Sequence, residues 1–409
     1  MGGSVRDYLL QRESKDHDIA TSANPDVICK IFPHSITVGK QFGVIKVPVE
    51  GTSHILEIAT FRRDEEYRDH RHPKGVKFGD PEEDALRRDF TVNALFYDPK
   101  TSRILDTVDG VTDLRAKVLR IIGDPMARFK EDALRLLRAV RFTTTLGFEM
   151  TPETAEAVKA KAKLITAVSA ERIRDELNLM WIGPRPAAAL ELLSKLSLLK
   201  YIMPEVEALK TEGDTFKKTL KALEVLTKQC PGRPATLVWG LILHDVGKPS
   251  VVKTGDVAIN YAAHELEGAK VARSLAARFK MTRSESDRIS DLVENHLKFK
   301  EAFKMREATL ERFVREPYFS ELLSLHKADA VASDGNLAFY EFCASRFQEY
   351  QNSSAVDSKL ITGSDLIQLG LHPGKEFSEI LRVVEDLAFE KKLTSKDQAL
   401  EFVVKNYVK

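Results

Sequence analysis

Residues 1–20 read "MGGSVRDYLLQRESKDHDIA". Gly2 and Gly3 are adjacent, and Asp16 and Asp18 stand one residue apart, ahead of an apolar residue. In a strand, residues i and i+2 point to the same face. Two carboxylates side by side repel unless a cation lies between them, and a divalent metal is the usual one. A Gly-Gly turn running into "VRD" at a helix start turns backbone N–H groups toward an anion, with Arg6 to pair it. Neither signal is specific alone, since Gly-Gly is more often a plain turn and a surface Asp-x-Asp is common. Together they supply a phosphate cradle and metal ligands, the two halves of a Mg2+–nucleotide site.

Composition sets the frame. The 409 residues are 43% hydrophobic and 30% charged, enough for two to four domains. Nothing approaches ~20 consecutive apolar residues, which excludes a helical membrane span. No charged-then-apolar leader precedes "GGSVRD". Cys29, Cys230 and Cys343 are odd in number and far apart, which fits thiols in a reducing cytoplasm and not a disulfide framework. With 62 basic and 61 acidic residues the net charge is +1, so a nucleic-acid partner would have to meet a local basic face.

The texture changes along the chain. "SITVGKQFGVIKVPV" and "SHILEIATFRR" are β-branched runs separated by a turn-rich stretch and read as neighbouring strands. "NALFYDPKTSRILDTVDG" reads as strand, Asp-Pro turn, strand. From about Arg120 helical patterns follow one another, several with an N-cap signal such as Thr151 before Pro152 or Ser169 before "AERI". The outline is α+β: a small mixed-sheet head (1–120), then an all-α body of neck (121–205), helical domain (206–345) and helical tail (346–409).

Two further stretches carry chemistry. "EEDALRRDFTVNAL" sets Arg87 and Arg88 before Asp89, which is equally readable as a solvated amphipathic helix. In "RFKEDALRLLRAVRF", Asp132, Arg135, Arg138 and Arg141 recur every third residue, a slanted stripe on a predicted helix. Three arginines with one acid on the stripe would repel, and an anionic ligand would relieve them. Asp132 and Arg135 could offer an acceptor and a donor fork to the edge of a base.

In order, "GGSVRDYLL…KDHDIAT", "VGKQFGVIKV", "EIATFR", "YRDHRHPKGVKF", "EEDALRRDFTVNAL", "DGVTDL", "IGDPMARFKEDALRLLRAVRF" and "SAERIRDEL" resemble the signature blocks of class II tRNA nucleotidyltransferases. These are the CCA-adding enzymes of the polymerase-β-like superfamily, with the bacterial poly(A) polymerases beside them. The blocks cover about residues 2–180. The resemblance implies template-independent addition of CCA from CTP and ATP to the 3′ end of tRNA, by two-metal phosphoryl transfer. It implies that Asp16 and Asp18 hold Mg2+, and that Gly2, Gly3 and Arg6 hold the triphosphate. It makes Arg88 a nucleotide contact and gives Asp132 and Arg135 the Watson–Crick edge of the base. Arg138 and Arg141 would serve nucleotide and phosphate. Glu57, on the "LEIATFR" strand, could bring a third carboxylate to the metals. The segment Asp64–Phe78 would permit the switch from C to A. A helix and a strand are expected ahead of the Gly-Gly turn, and here Met1 abuts Gly2, so the head reads as lacking its first strand.

"LILHDVGKP" looks like the core of an HD phosphohydrolase domain, with His244, Asp245, His264 and His296 at ligand-like positions. The place of a first ligand histidine holds Lys218, whose ammonium would repel a cation, so the site reads as degenerate. The tail resembles the region that grips the tRNA elbow, with Lys375, Lys391, Lys392 and Lys396 as phosphate contacts and the acceptor stem reaching the head. Three other readings stay open: a poly(A) polymerase adding AMP to RNA, a chain active only as an HD phosphohydrolase, and a catalytically dead RNA-binding protein.

Overall fold

The computed structural model describes residues 1–14, 18–52, 54–64, 76–252, 264–352, 360–390 and 392–408. They form two compact units, one of residues 1–208 with 278–280 and one of residues 209–277 with 281–409.

The first unit opens with helix α1 (Gly3–Leu9), followed by strand β1 (Asp18–Thr21) and helix α2 (Pro25–Ile31). Strands β2 (Val44–Pro48) and β3 (Ile55–Thr60) complete a mixed sheet of order β1-β3-β2, with β1 parallel and β2 antiparallel to β3. Ile45 and Val47 alternate inward from β2 and pack with Ile58 and with Ile28 of α2. The predicted neighbouring strands are therefore β2 and β3, while "GKQF" before them makes a 3-10 turn (Lys40–Phe42) instead of strand. Strands β4 (Arg62–Asp64) and β5 (Val76–Phe78) pair, then helix α3 (Pro81–Arg87) starts on an Asp80 cap with Pro81 behind it. The strand–turn–strand reading is met by β6 (Phe96–Asp98) and β7 (Arg103–Leu105).

Helix α4 (Gly110–Ala116), the short strand β8 (Val118–Leu119) and helix α5 (Pro125–Glu131) lead to helix α6 (Arg135–Leu146). The single helix expected across this stretch is two. Asp132 turns extended at φ −137° and ψ 105°, and its carboxylate caps the turn by accepting from the Leu134 N–H at 3.0 Å. Asp132 thus stands at a corner, off the arginine stripe that α6 carries. Strand β9 (Glu149–Met150), helix α7 (Pro152–Lys161) and helix α8 (Ala170–Trp181) follow. Thr151 caps α7, whereas Ser169 starts α8 without a side-chain cap bond. Helices α9 (Pro186–Lys195), α10 (Leu199–Ile202) and α11 (Pro204–Glu207) close the unit.

In the second unit, helices α12 (Thr215–Gln229), α13 (Ala235–Leu243), α14 (Lys248–Val252), α15 (His264–Arg278) and α16 (Arg283–Asn295) come first. Next are α17 (Glu307–Val314), α18 (Phe319–Ala332) and α19 (Ala338–Asn352). Every residue of α13 from Leu237 to Leu243 is buried, which makes it a central element. The tail helices α20 (Gly363–Gln368), α21 (Lys375–Phe389) and α22 (Lys396–Tyr407) surround their own core of Leu366, Ile380, Val384, Ala399 and Val403. Among the described residues no helix is long and apolar enough to cross a membrane.

Candidate nucleotide site and candidate metal centre

Gly2 sits at φ +62°, and a Cβ there would lie 2.6 Å from Arg88 Nη1. A side chain is therefore barred both by backbone conformation and by a guanidinium. The Gly2 N–H donates to Leu95 O at 2.8 Å, so the turn is tied to the chain that follows α3. Arg88 is half-buried over the Phe96 ring, donates to Asp84 Oδ2 at 3.1 Å and to Asn93 O at 3.1 Å, and also meets Met1 Sδ. Arg6, from α1, is buried and donates to Asp7 and to Asn93 Oδ1 at 2.5 Å.

Asn93 passes the contact on. Its Nδ2 donates to Asp89 Oδ1 at 3.1 Å, and Asp89 Oδ2 accepts from Arg138 at 2.6–2.8 Å. Burial works against the charge on Asp89. Arg138 beside it, with the Asn93 and Phe90 N–H donors, outweighs burial and holds the pKa at about 2. Arg141 donates to Glu176 Oε2 at 2.6 Å, and Arg138 reaches Glu176 Oε1 at 3.6 Å. Arg6, Arg138 and Arg141 all sit over the one ring of Phe142, at 5.3, 5.1 and 4.2 Å.

The repulsion expected along the arginine stripe is thereby answered from elsewhere in the fold. Asp89 and Glu176 neutralise Arg138 and Arg141, and Glu131 takes Arg135 at 2.7 Å. Arg135 also donates to Arg128 O. Asp132 is engaged by Arg172 of α8 at 3.0 and 3.3 Å. Arg172 and Glu176 lie four residues apart on one face of α8, and neither was singled out from sequence. "SAERIRDEL" held both, but nothing local points them at α6.

Asp16 lies outside the described residues, as does most of Asp64–Phe78. Asp18 is half-buried on β1 and pairs in register with Glu57 of β3, which pairs in turn with Lys46 of β2. Directly paired residues share a face, so two carboxylates and one ammonium stand in a row across the sheet. The Glu57 carboxylate meets Lys46 Nζ at 2.7 Å. Gly3 heads α1 and forms part of the same turn as Gly2.

The second unit builds another cluster where α13 ends. His244 and Asp245 follow that buried helix, and Gly247 lets the chain pass against α15, since a Cβ there would fall 2.0 Å from His264 O. His264 Nε2 then lies 3.4 Å from Asp245 Oδ1, and His296 Nε2 3.9 Å from the same oxygen. The three ligand atoms of Asp245, His264 and His296 lie within 4.8 Å of one another, all buried. Val293 O receives His296 Nδ1 at 2.6 Å, which turns Nε2 inward as an acceptor, and that buried Nε2 has no hydrogen-bond partner. An orphaned imidazole nitrogen facing a carboxylate and a second imidazole is a donor set that suits a divalent metal. His244 is held by Leu241 O at 2.7 Å, and its Nε2 faces Asp245 at 3.4 Å and Asp329 at 3.5 Å. Despite burial, those carboxylates raise its pKa to about 9. Asp329, from α18, was missed in the sequence because "LHKADAVASD" has no motif of its own. Lys218 is exposed on α12, and Thr219 beside it is buried.

Lysines expected to face phosphates are partly committed otherwise. Lys396 pairs with Asp365 at 2.5 Å and Lys392 with Glu390 at 2.6 Å, while Lys391 is outside the described residues. Lys375 is exposed at the start of α21.

Comparison with known proteins agrees with this layout. Residues 1–120 match the poly A polymerase head domain, residues 147–210 the probable RNA and SrmB-binding site of polymerase A, and residues 215–334 the HD domain. The CCA-adding enzyme of Geobacillus thermodenitrificans is 44% identical over 203 residues, 49% of this chain and 50% of that protein. The chain thus spans about half the length of the first curated relatives it matches. The CCA-adding enzyme of Lactococcus lactis subsp. cremoris is 32% identical over 409 residues, 99% of this chain and 91% of that protein. The crystal structure of the Bacillus stearothermophilus CCA-adding enzyme in complex with CTP superposes with a TM-score of 0.75 at 26% identity, covering 99% of this chain and 91% of that one. The Thermotoga maritima CCA-adding enzyme complexed with tRNA shares the fold, with a TM-score of 0.63 at 18% identity. By its near-full-length likeness to the Lactococcus relative, the chain belongs to the family of CCA-adding enzymes.

Proposed function

We propose that this chain adds CCA to the 3′ end of tRNA, using CTP and ATP, in the reducing cytoplasm that its cysteines fit. The observation that carries the reading is the convergence of Arg6, Arg88, Asp89, Arg138 and Arg141 on one hydrogen-bonded network, with Gly2 packed against Arg88, in a family member. Asp18, with Glu57 in register beside it and Asp16 two residues ahead in the sequence, offers carboxylates suited to divalent cations, Mg2+ by preference for oxygen ligands. The bound metal would neutralise the triphosphate and favour the ionised 3′-hydroxyl.

The protein's own groups then do the following. The Gly2–Gly3 turn and Arg6 hold the triphosphate, with the N–H groups from Gly3 onward at the helix start as donors, the Gly2 N–H being bound to Leu95 O. Arg88 and the α6 arginines add charge that the neighbouring acids keep oriented. Asp132 accepts from the exocyclic amino group that cytosine and adenine share, and Arg135 donates to the ring edge. Pyrophosphate leaves, and no covalent enzyme intermediate is needed. Positioning and charge neutralisation carry the reaction.

Incubation with tRNA lacking its 3′ end, and with CTP or ATP alone, tests this. Incorporation of CTP ahead of ATP is expected. Addition of AMP alone, with CTP rejected, would make the chain a poly(A) polymerase, a reading that none of the compared relatives favours.

A second site is favoured by the buried, unpartnered Nε2 of His296. We propose that Asp245, His264 and His296 hold a divalent metal, with His244 and Asp329 beside it, as a centre for phosphoester hydrolysis. These ligands do not include position 218, so Lys218 alone does not disable the centre. Titration of the full chain with Zn2+ or Mn2+ tests it, with binding expected in the parent and lost in His296→Ala.

A further inference from the structure

The segment Lys298–Lys304 is a 3-10 helix, in which residues three apart eclipse one another. Phe299 and Ala302 point inward, 0% and 1% exposed. Two outer rows remain. One carries Lys298, Glu301 and Lys304, and the other Lys300 and Phe303, while Arg306 lies past the helix end, where the backbone turns extended. All six of these residues are exposed. Phe303 is 56% exposed, although it is a large aromatic side chain. It is held from behind by Phe339 and Phe342 of α19, each with its ring centroid 4.9 Å away and tilted by 40° and 47°. Between residues 298 and 306 there are four cations and one acid, in a chain whose net charge is +1. Glu301 touches Lys304 only at 3.9 Å.

A solvent-facing aromatic ring backed by two others, with Lys300 on its row and Lys304 next to it in the chain, is what stacking on an unpaired base requires. The ring takes the base face and the flanking cations take the phosphates on either side. A second copy of the chain is the other candidate occupant, but a two-fold interface would set this patch on itself and bring the same cations together. The charge therefore selects a polyanion. We infer that Phe303, with Lys300 and Lys304 beside it, is a stacking platform for an unpaired nucleotide of the RNA substrate, separate from the tail lysines. The inference rests on the proposal that the substrate is RNA, and adds where an unpaired part of it is gripped.

The test uses the full chain, with binding measured to tRNA lacking its 3′ end and to an unstructured 12-nucleotide oligo(U). Phe303→Ala should weaken oligo(U) binding roughly 5- to 100-fold, and Phe303→Tyr should restore it. Lys300→Ala, an exposed change with no packing to lose, should lower the salt slope of log affinity by roughly 0.7. Unchanged affinity and slope in Phe303→Ala and Lys300→Ala would overturn the platform. So would a parent that sediments as a dimer and becomes monomeric in Phe303→Ala, since a second copy would then be the occupant. A parent that binds neither RNA would remove the proposed function as well, which separates that failure from the failure of this site alone.

Discussion

A single nitrogen of Arg172, Nη2, reaches both carboxylate oxygens of Asp132, at 3.0 and 3.3 Å. The Leu134 N–H fixes the same carboxylate from the other side, at 3.0 Å. Asp132 is therefore oriented on a corner between two helices, in the place where the proposed reading needs an acceptor for the base edge. Replacing Arg172 with Ala should leave the fold intact and loosen the acceptor. The KM for CTP should rise about 2- to 5-fold, as for a partly exposed ion pair, and discrimination against UTP should fall. Lysine at 172 should recover part of both. Initial rates with CTP and with UTP decide it, and undiminished rejection of UTP would remove Arg172 from the reading of the base.

Asp18→Ala, and likewise Asp16→Ala, should abolish nucleotide addition while tRNA affinity changes little, because the proposal makes each a metal ligand and not an RNA contact. Addition assays beside filter binding give both readouts. Loss of folding by circular dichroism would instead make the carboxylate row a structural feature of the sheet.

Asp89 gives a pH prediction. Its native pKa of about 2 lies below the unperturbed 3.8, so its stabilising effect is full above pH 4 and lost as pH falls toward 2. The size is about 2 kcal/mol at neutral pH. In thermal melts, the parent should lose stability steeply below pH 4. Asp89→Asn should start lower at pH 7 and converge with the parent in acid. Parallel curves across that range would show that Arg138 does not depress Asp89.

Divalent metal should stabilise the second unit, by about 2.7 kcal/mol at a hundredfold excess over the dissociation constant. Melting with and without Mn2+ reads this directly. His264→Ala and His296→Ala should each abolish the shift, whereas His→Ala changes that keep it would place the ion elsewhere.

Deleting the segment around Asp64–Phe78 should spare C addition and cripple the terminal A. Product lengths on sequencing gels report the two steps separately, and equal loss of both would make the segment merely part of the fold.

Local signals were legible from the sequence wherever the chemistry and the fold use the same few residues. Gly2 beside a helix start, the β2–β3 pair and the Thr151 cap each depend on neighbours in the chain. Contacts between remote segments were not. Glu176 and Arg172 are ordinary charges on an amphipathic helix until α8 lies on α6, and Asp329 is one acid among many until α18 meets the end of α13. The break at Asp132 was hidden too, because no glycine or proline marks it. The charge stripe was seen, and its balance was misread, because Asp89 sits some fifty positions upstream of Arg138 and only folding brings them to 2.6 Å.

The amide of Asn93 accepts from Arg6 on one side and donates to Asp89 on the other, and Asp89, Arg138, Glu176 and Arg141 extend the line. Six side chains from four segments are thus wired in series. Substitutions along such a line do not act independently: once one link is cut, cutting a second costs less, so the effects of paired changes fall short of their sum. A change at Asn93 should therefore cost less in a background that already lacks Asp89 than it does in the parent.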